Sequence, residues 1–193
     1  PLPYGPEVAA RTDCAAGRLV LTMRNTGTAS THLEAITNRF RTDGPWPYDV
    51  AAGAMLEDTF AVVAQGGGRY DLTVTGPNGF ERQFAGDTNT GCGALEVTPA
   101  TSPTEGTLAL TYSNRGTAAV TFTTAATRYR GDGPWSITVA PGASESRTWD
   151  VAAMGRGWYA LTVTTTADAA FLRRFAGHLE DGRASVAGLS PSP

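Results

Sequence analysis

The chain has 193 residues, between one and two ordinary domains, and its 41% apolar content is enough to fill a folded interior. Its 15 basic and 18 acidic side chains leave a formal charge of −3, so there is no cationic surplus to hold a nucleic-acid backbone or an anionic bilayer by bulk attraction. No run of about 18 apolar residues offers a spanning helix, and Pro1 to Val8 lacks the basic-then-apolar order of an export leader, which in an exported protein has been removed or lies upstream.

The 28 Thr, 23 Gly and 12 Pro favour strands and turns over helices. In chain order, strands are expected over 4–10 and 18–25, the second carrying Leu19, Leu21 and Met23 at a period of two. Asn25-Thr26-Gly27 then provides a glycine able to take positive φ before a strand over 31–40. Asp43-Gly44-Pro45-Trp46 leads into a strand over 46–50. The stretch Ala51 to Ala64 is ambiguous, because its Ala, Met, Leu and Val also suit a helix; it is read as a strand over 54–63 for the reason given next. Strands over 69–75 and 80–86 follow, joined by Gly76-Pro77-Asn78-Gly79, a β-turn sequence closing a hairpin.

The chain then repeats itself. Residues 25–74 align without a gap on 114–163 with 23 identities in 50 positions, and Phe84-Ala85-Gly86 recurs as Phe175-Ala176-Gly177. Strands are accordingly expected over 94–99, 107–114, 120–129, 135–140, 144–151, 157–166 and 170–177. The equivalent of the ambiguous stretch contains Pro141, Gly142, Ser144 and Ser146, poor helix residues, and that settles the strand assignment in both copies. Two copies are too few for a solenoid, so each must bury a core of its own. The fold expected is all-β: two tandem immunoglobulin-like β-sandwich modules of about seven strands each, residues 1–92 and 93–193. Tyr70 and Tyr159, each two residues before a core Leu, stand at the tyrosine corner of such sandwiches, where the phenol bonds back to nearby backbone.

Cys14 and Cys92 fall outside the repeat and bracket the first copy. An even pair in a Thr- and Gly-rich β protein reads as one disulfide of an exported chain, with two unrelated buried thiols as the alternative. His32 and His178 lie at unmatched positions with no partners at zinc-ligand spacing, and no nucleophile elbow, phosphate loop or dinucleotide fingerprint is present. No catalytic residue, metal or cofactor is therefore assigned.

Trp46, Trp135 and Trp158 are candidate stacking faces for a sugar or a choline group, against the simpler reading that a Trp beside a Gly-Pro turn plugs the end of a sandwich. Arg39, Arg41, Arg128 and Arg130 are candidate phosphate contacts, against the simpler reading of a solvated strand face paired with Asp43 or Asp132. Arg82, Arg173 and Arg174 are read as surface in the same way, although Arg82 and Arg173 alternate with Phe and could face inward at a sheet edge.

Gly-x-Tyr-Asp-Leu-Thr-Val-x-Gly-Pro-Asn-Gly-Phe-x-Arg-x-Phe-Ala-Gly, from Gly68 to Gly86, resembles a segment of the duplicated carboxy-terminal domain of bacterial phosphocholine-specific phospholipase C. Trp158-Tyr159 and the run from Phe171 to Glu180 carry the same resemblance, which spans almost the whole chain. It implies the tail of a larger secreted enzyme that hydrolyses phosphatidylcholine or sphingomyelin, with the chemistry in an upstream domain. The partners it implies are that catalytic domain and a choline-lipid membrane surface. Copy two lacks Gly-Pro-Asn-Gly, so a shared role for that turn is not implied. A carbohydrate- or cell-surface-binding pair of immunoglobulin-like modules is the alternative.

Overall fold

The computed structural model describes residues 2–180. The first copy runs β1 (Pro6–Asp13), β2 (Arg18–Asn25), β3 (Thr31–Arg39), β4 (Trp46–Val50), β5 (Met55–Phe60), α1 (Val62–Gly66), β6 (Arg69–Thr75) and β7 (Glu81–Asp87). The second runs β8 (Leu95–Ser102), β9 (Thr107–Asn114), β10 (Val120–Arg128), β11 (Trp135–Val139), β12 (Ser144–Asp150), α2 (Val151–Gly155), β13 (Trp158–Thr165) and β14 (Leu172–His178). Residues 181–193, the end of the expected second module, lie outside the described residues.

Two expectations are corrected in detail. The strand expected over 54–63 ends at Phe60 and gives way to α1, and the strand expected to reach 151 gives way at the same point to α2. Both helices are single turns that carry the chain from one sheet to the other. Val62 and Val151 are buried beneath them, and Asp150 caps the second by accepting from the Ala153 amide at 2.8 Å. The first strand lies at 6–13 rather than 4–10, because its partner β2 holds it from Pro6 opposite Asn25 to Asp13 opposite Arg18.

Each copy packs a three-stranded sheet, β1-β2-β5 or β12-β9-β8, over four strands of a second sheet. Alternation does the sorting. Leu19, Leu21 and Met23 of β2 face Leu33, Leu72, Val74 and Phe84 across one interior, and Leu108, Leu110 and Tyr112 of β9 face Phe122, Leu161, Val163 and Phe175 across the other. The two four-stranded halves are one sheet. Its order is β11-β10-β13-β14-β7-β6-β3-β4, which reads as the same copy outward from the centre in both directions. At the centre β7 and β14, equivalent strands, pair antiparallel with Gln83 opposite Arg174, which is where the local two-fold axis passes. The pairing satisfies two edges that would otherwise present unpaired backbone groups to solvent.

Asn25 and Asn114, both fully buried, hold the turn after the second strand of each copy. Asn25 Nδ2 donates to the Ala29 and Val50 carbonyls at 2.8 and 3.0 Å, and its Oδ1 accepts from the Gly27 and Gly5 amides at 3.0 and 3.1 Å. Asn114 repeats three of these bonds, to the Ala118 and Val139 carbonyls and from the Gly116 amide. Asn114→Ala strands those backbone groups and is expected to cost about 3 kcal/mol, read as a lowered urea midpoint at unchanged m.

Gly27 does not take the positive φ open to it, and neither does Gly116, its equivalent in the second copy. Gly27 is required by proximity: a Cβ there would lie 2.3 Å from both the Pro3 carbonyl oxygen and the Tyr4 Cα. At Gly116 the nearest atom to a Cβ is Asn114 Oδ1, at 3.1 Å. Gly27→Ala is expected to cost about 1–3 kcal/mol by displacing the 3–5 segment, and Gly116→Ala distinctly less; equal losses in parallel melts would contradict this.

Candidate functional site

The alternation Phe80, Arg82, Phe84 and its equal Phe171, Arg173, Phe175 put one arginine of each copy on the inner face of the central sheet. Arg82 and Arg173 are 3% and 1% exposed, so the solvated reading of these two is wrong. They sit at the middle of the eight-stranded sheet, where β7 meets β14. Each is handed across the seam. Arg173 Nη2 donates to Tyr70 Oη at 3.3 Å and Nη1 to the Ala85 carbonyl at 2.8 Å, both in the first copy. Arg82 Nη2 donates to Tyr159 Oη at 2.9 Å and Nη1 to the Ala176 carbonyl at 2.8 Å, both in the second. Each guanidinium also lies against an aromatic ring of its own copy, Phe80 at 4.3 Å and Phe171 at 4.5 Å. The tyrosines expected to bond back to local backbone thus receive the other copy's arginine.

The two arginines differ in one respect. Arg173 carries a carboxylate: Nε donates to Glu96 Oε1 at 2.6 Å and Nη2 to Oε2 at 2.9 Å, a bidentate pair. Burial pulls the Arg173 pKa down, but the charge of Glu96 and the bonds to Glu96 and Tyr70 outweigh it and the net displacement is upward. Burial raises the Tyr70 phenol, against the opposing pull of Arg173. The residue equivalent to Glu96 in the first copy is Glu7, which is exposed. Arg82 Nε is buried and has no hydrogen-bond partner among the described residues.

Over Arg82 lies a cavity of about 690 Å³, walled by Glu7 of β1, Thr98 of β8, Phe80, Tyr159 and Glu180. Glu180 is engaged, accepting from Asn78 Nδ2 and lying 3.1 Å from His178 Nδ1. The related space on the Arg173 side, bounded by Tyr70, Phe171, Leu95 and Cys92, measures about 20 Å³. The connector between the copies closes it, held there by the bond from Cys92 to Cys14.

The Arg-x-Asp-Gly-Pro-Trp corners are built alike in both copies. Arg41 grips Asp43 with Nε and Nη2 at 2.9 and 2.6 Å, and Arg130 grips Asp132 at 2.7 and 2.7 Å. These bonds hold both carboxyls below the usual carboxylate range, so each clamp is present at neutral pH and lost as pH falls through the lowered value. The same guanidiniums lie 5.2 Å from the Trp46 ring and 5.0 Å from the Trp135 ring, covering the faces that were candidate platforms. Arg147 approaches Trp135 as well, at 5.4 Å. Each indole also rests on the glycine of its corner: at Gly44, where φ is 100°, a Cβ would lie 2.7 Å from the ring of Trp46.

Trp46 and Trp135, on β4 and β11, stand at opposite edges of the long sheet, and Trp158 lies near its middle against His178 at 4.7 Å and Tyr129 at 5.7 Å. All three are half-buried. The structure does not bring them onto one face. Arg39 and Arg128 are exposed, whereas the Arg41 and Arg130 side chains are only 8% and 10% exposed.

His32 pairs with Asp49 at 2.9 Å on the surface. Among the described residues no cluster of three or more His, Cys, Asp or Glu is placed to hold a metal ion. Glu96 is the residue that sequence reasoning missed altogether. Its signal was weak, a lone acid beside the buried Val97 in the first strand of copy two.

The sequence matches, twice, the family described as bacterial phospholipase C, C-terminal domain, over residues 6–87 and 93–178. A non-hemolytic phospholipase C of Burkholderia pseudomallei (strain K96243) is 40% identical over 96% of this chain and 26% of its own length. A non-hemolytic phospholipase C of Pseudomonas aeruginosa (strain PAO1) is 33% identical over 94% of this chain and 27% of its own. A hemolytic phospholipase C of the same strain is 31% identical over 95% and 28%. The chain thus spans about a quarter of the length of these relatives.

Proposed function

The chain belongs to the bacterial phospholipase C C-terminal domain family, and from that premise we propose that it is the non-catalytic accessory region of a secreted phospholipase C specific for choline lipids. Its work in this reading is to pack on the upstream catalytic domain and steady it outside the cell. One observation carries the proposal: similarity runs over nearly all of this chain and only about a quarter of the relatives, leaving most of their length for the chemistry. The Cys14–Cys92 bond suits an oxidising compartment.

The test is deletion of the matching region from the Burkholderia pseudomallei relative. The expected result is a lower melting temperature and secreted yield, with turnover of a soluble phosphocholine ester retained by the protein that does fold. Unchanged stability and yield would remove the scaffolding reading.

A second reading, contact with a choline-lipid surface, is supported by Phe40. It is 39% exposed and flanked by the guanidiniums of Arg39 and Arg69 at 5.9 and 5.3 Å, an apolar ring with cations placed for phosphate. The chain is expected to float with phosphatidylcholine vesicles, and Phe40→Ala to float less. Equal flotation of the two proteins would dismiss it.

A further inference from the structure

Exchange of the two arginines across the seam makes one copy an internal reference for the other. Arg173 and Arg82 occupy related places, have the same aromatic neighbours in the related order, and donate to the other copy's tyrosine and to a carbonyl of the facing strand. In one place the charge is met by a carboxylate on Nε and Nη2. In the other, Nε has no partner among the described residues and the arginine lines a cavity of about 690 Å³, whereas the related space beside Tyr70 and Phe171 measures about 20 Å³ and is not lined by Arg173.

A guanidinium 97% removed from solvent with no ion-pair partner among the described residues is costly, and a negative charge brought to it acts through a medium of low effective dielectric. We propose that the cavity over Arg82 is a binding site for a small oxyanion, a carboxylate or phosphate group, which makes with Arg82 the contact that Glu96 makes with Arg173.

The cavity is of the size that takes small organic ligands, and Phe80 and Tyr159 give it an aromatic wall for an attached apolar body. The carboxylates that line it do not fill the role. Glu180 is bonded to Asn78 and His178, and Glu7, at the position equivalent to Glu96, is exposed on β1. The proposal does not rest on the accessory role proposed above.

The test is nuclear magnetic resonance of the ¹⁵N-labelled full chain, following the Nε–H groups of Arg82 and Arg173 at constant ionic strength in chloride. Inorganic phosphate, and separately propionate, is then titrated. A saturable shift at Arg82 with none at Arg173 is expected, and response to phosphate but not propionate would fix the class as phosphoryl. Glu7→Gln, which removes a negative charge from the wall, is expected to tighten phosphate binding by about threefold. The proposal is overturned if neither probe moves Arg82 or if both arginines respond alike. Because every readout but one uses the unsubstituted protein, failure of an Arg82 variant to fold does not blunt the test.

Discussion

Glu96→Ala is expected to destabilise the chain by about 3–4 kcal/mol, the largest loss anticipated from any single surface-accessible side chain. The substitution removes both carboxylate oxygens from Arg173 and leaves Nε and Nη2 of a 1% exposed guanidinium without a counter-charge; breaking a buried ion pair from one side costs about 3–5 kcal/mol. Glu7→Ala removes the same residue type from the equivalent strand position, where no bond to Arg82 exists, and is expected to stay within about 0.5 kcal/mol of the parent. Chemical denaturation of the two variants in parallel decides the matter. Adding Arg173→Met to Glu96→Ala is expected to recover part of the loss, because the stranded charge disappears, although Tyr70 Oη and the Ala85 carbonyl then lose their donor. Additive losses would mean that the pair contributes packing and no electrostatic coupling.

Reduction of the Cys14–Cys92 bond is expected to cost about 4–5 kcal/mol, the loop-closure entropy for a separation of 78 residues. The bond ties the turn after β1 to the connector that follows β7, so its loop contains β2 to β7 and the connector closes the small space beside Tyr70 and Phe171. Denaturant melts with and without reductant measure the cost, and a thiol count on the unreduced, denatured protein is expected to find none. Cys14→Ser with Cys92→Ser should match the reduced protein. Two free thiols in the unreduced chain would refute the bond, and a loss below about 1 kcal/mol would show that the unfolded ensemble already keeps the ends together.

The ambiguous stretch at 51–64 shows how far the duplication could guide the reading. Copy two, with Pro141 and Gly142, rightly excluded a long helix, yet α1 and α2 are single turns too short for composition to reveal. The tryptophans show the opposite limit. That Trp46 and Trp135 close the corners of the sandwiches followed from Gly-Pro-Trp; that Arg41 and Arg130 lie on their faces while gripping Asp43 and Asp132 required the folded loop.

Local order in this protein is written along the chain. Period-two alternation and a second copy of nearly every strand determined the all-β class, the strand positions and the identity of most core residues, because those depend on which side chains leave water together over a few residues. What only the tertiary structure decided is how the copies meet. Alternation places Arg82 and Arg173 in phase with Phe, but whether that face is wet or dry depends on which strand lies alongside, and β7 pairs with β14 across about 90 residues of sequence. From that one pairing follow the exchanged arginines, the filled pocket beside Glu96 and the open one beside Arg82, none of which any local stretch of sequence contains.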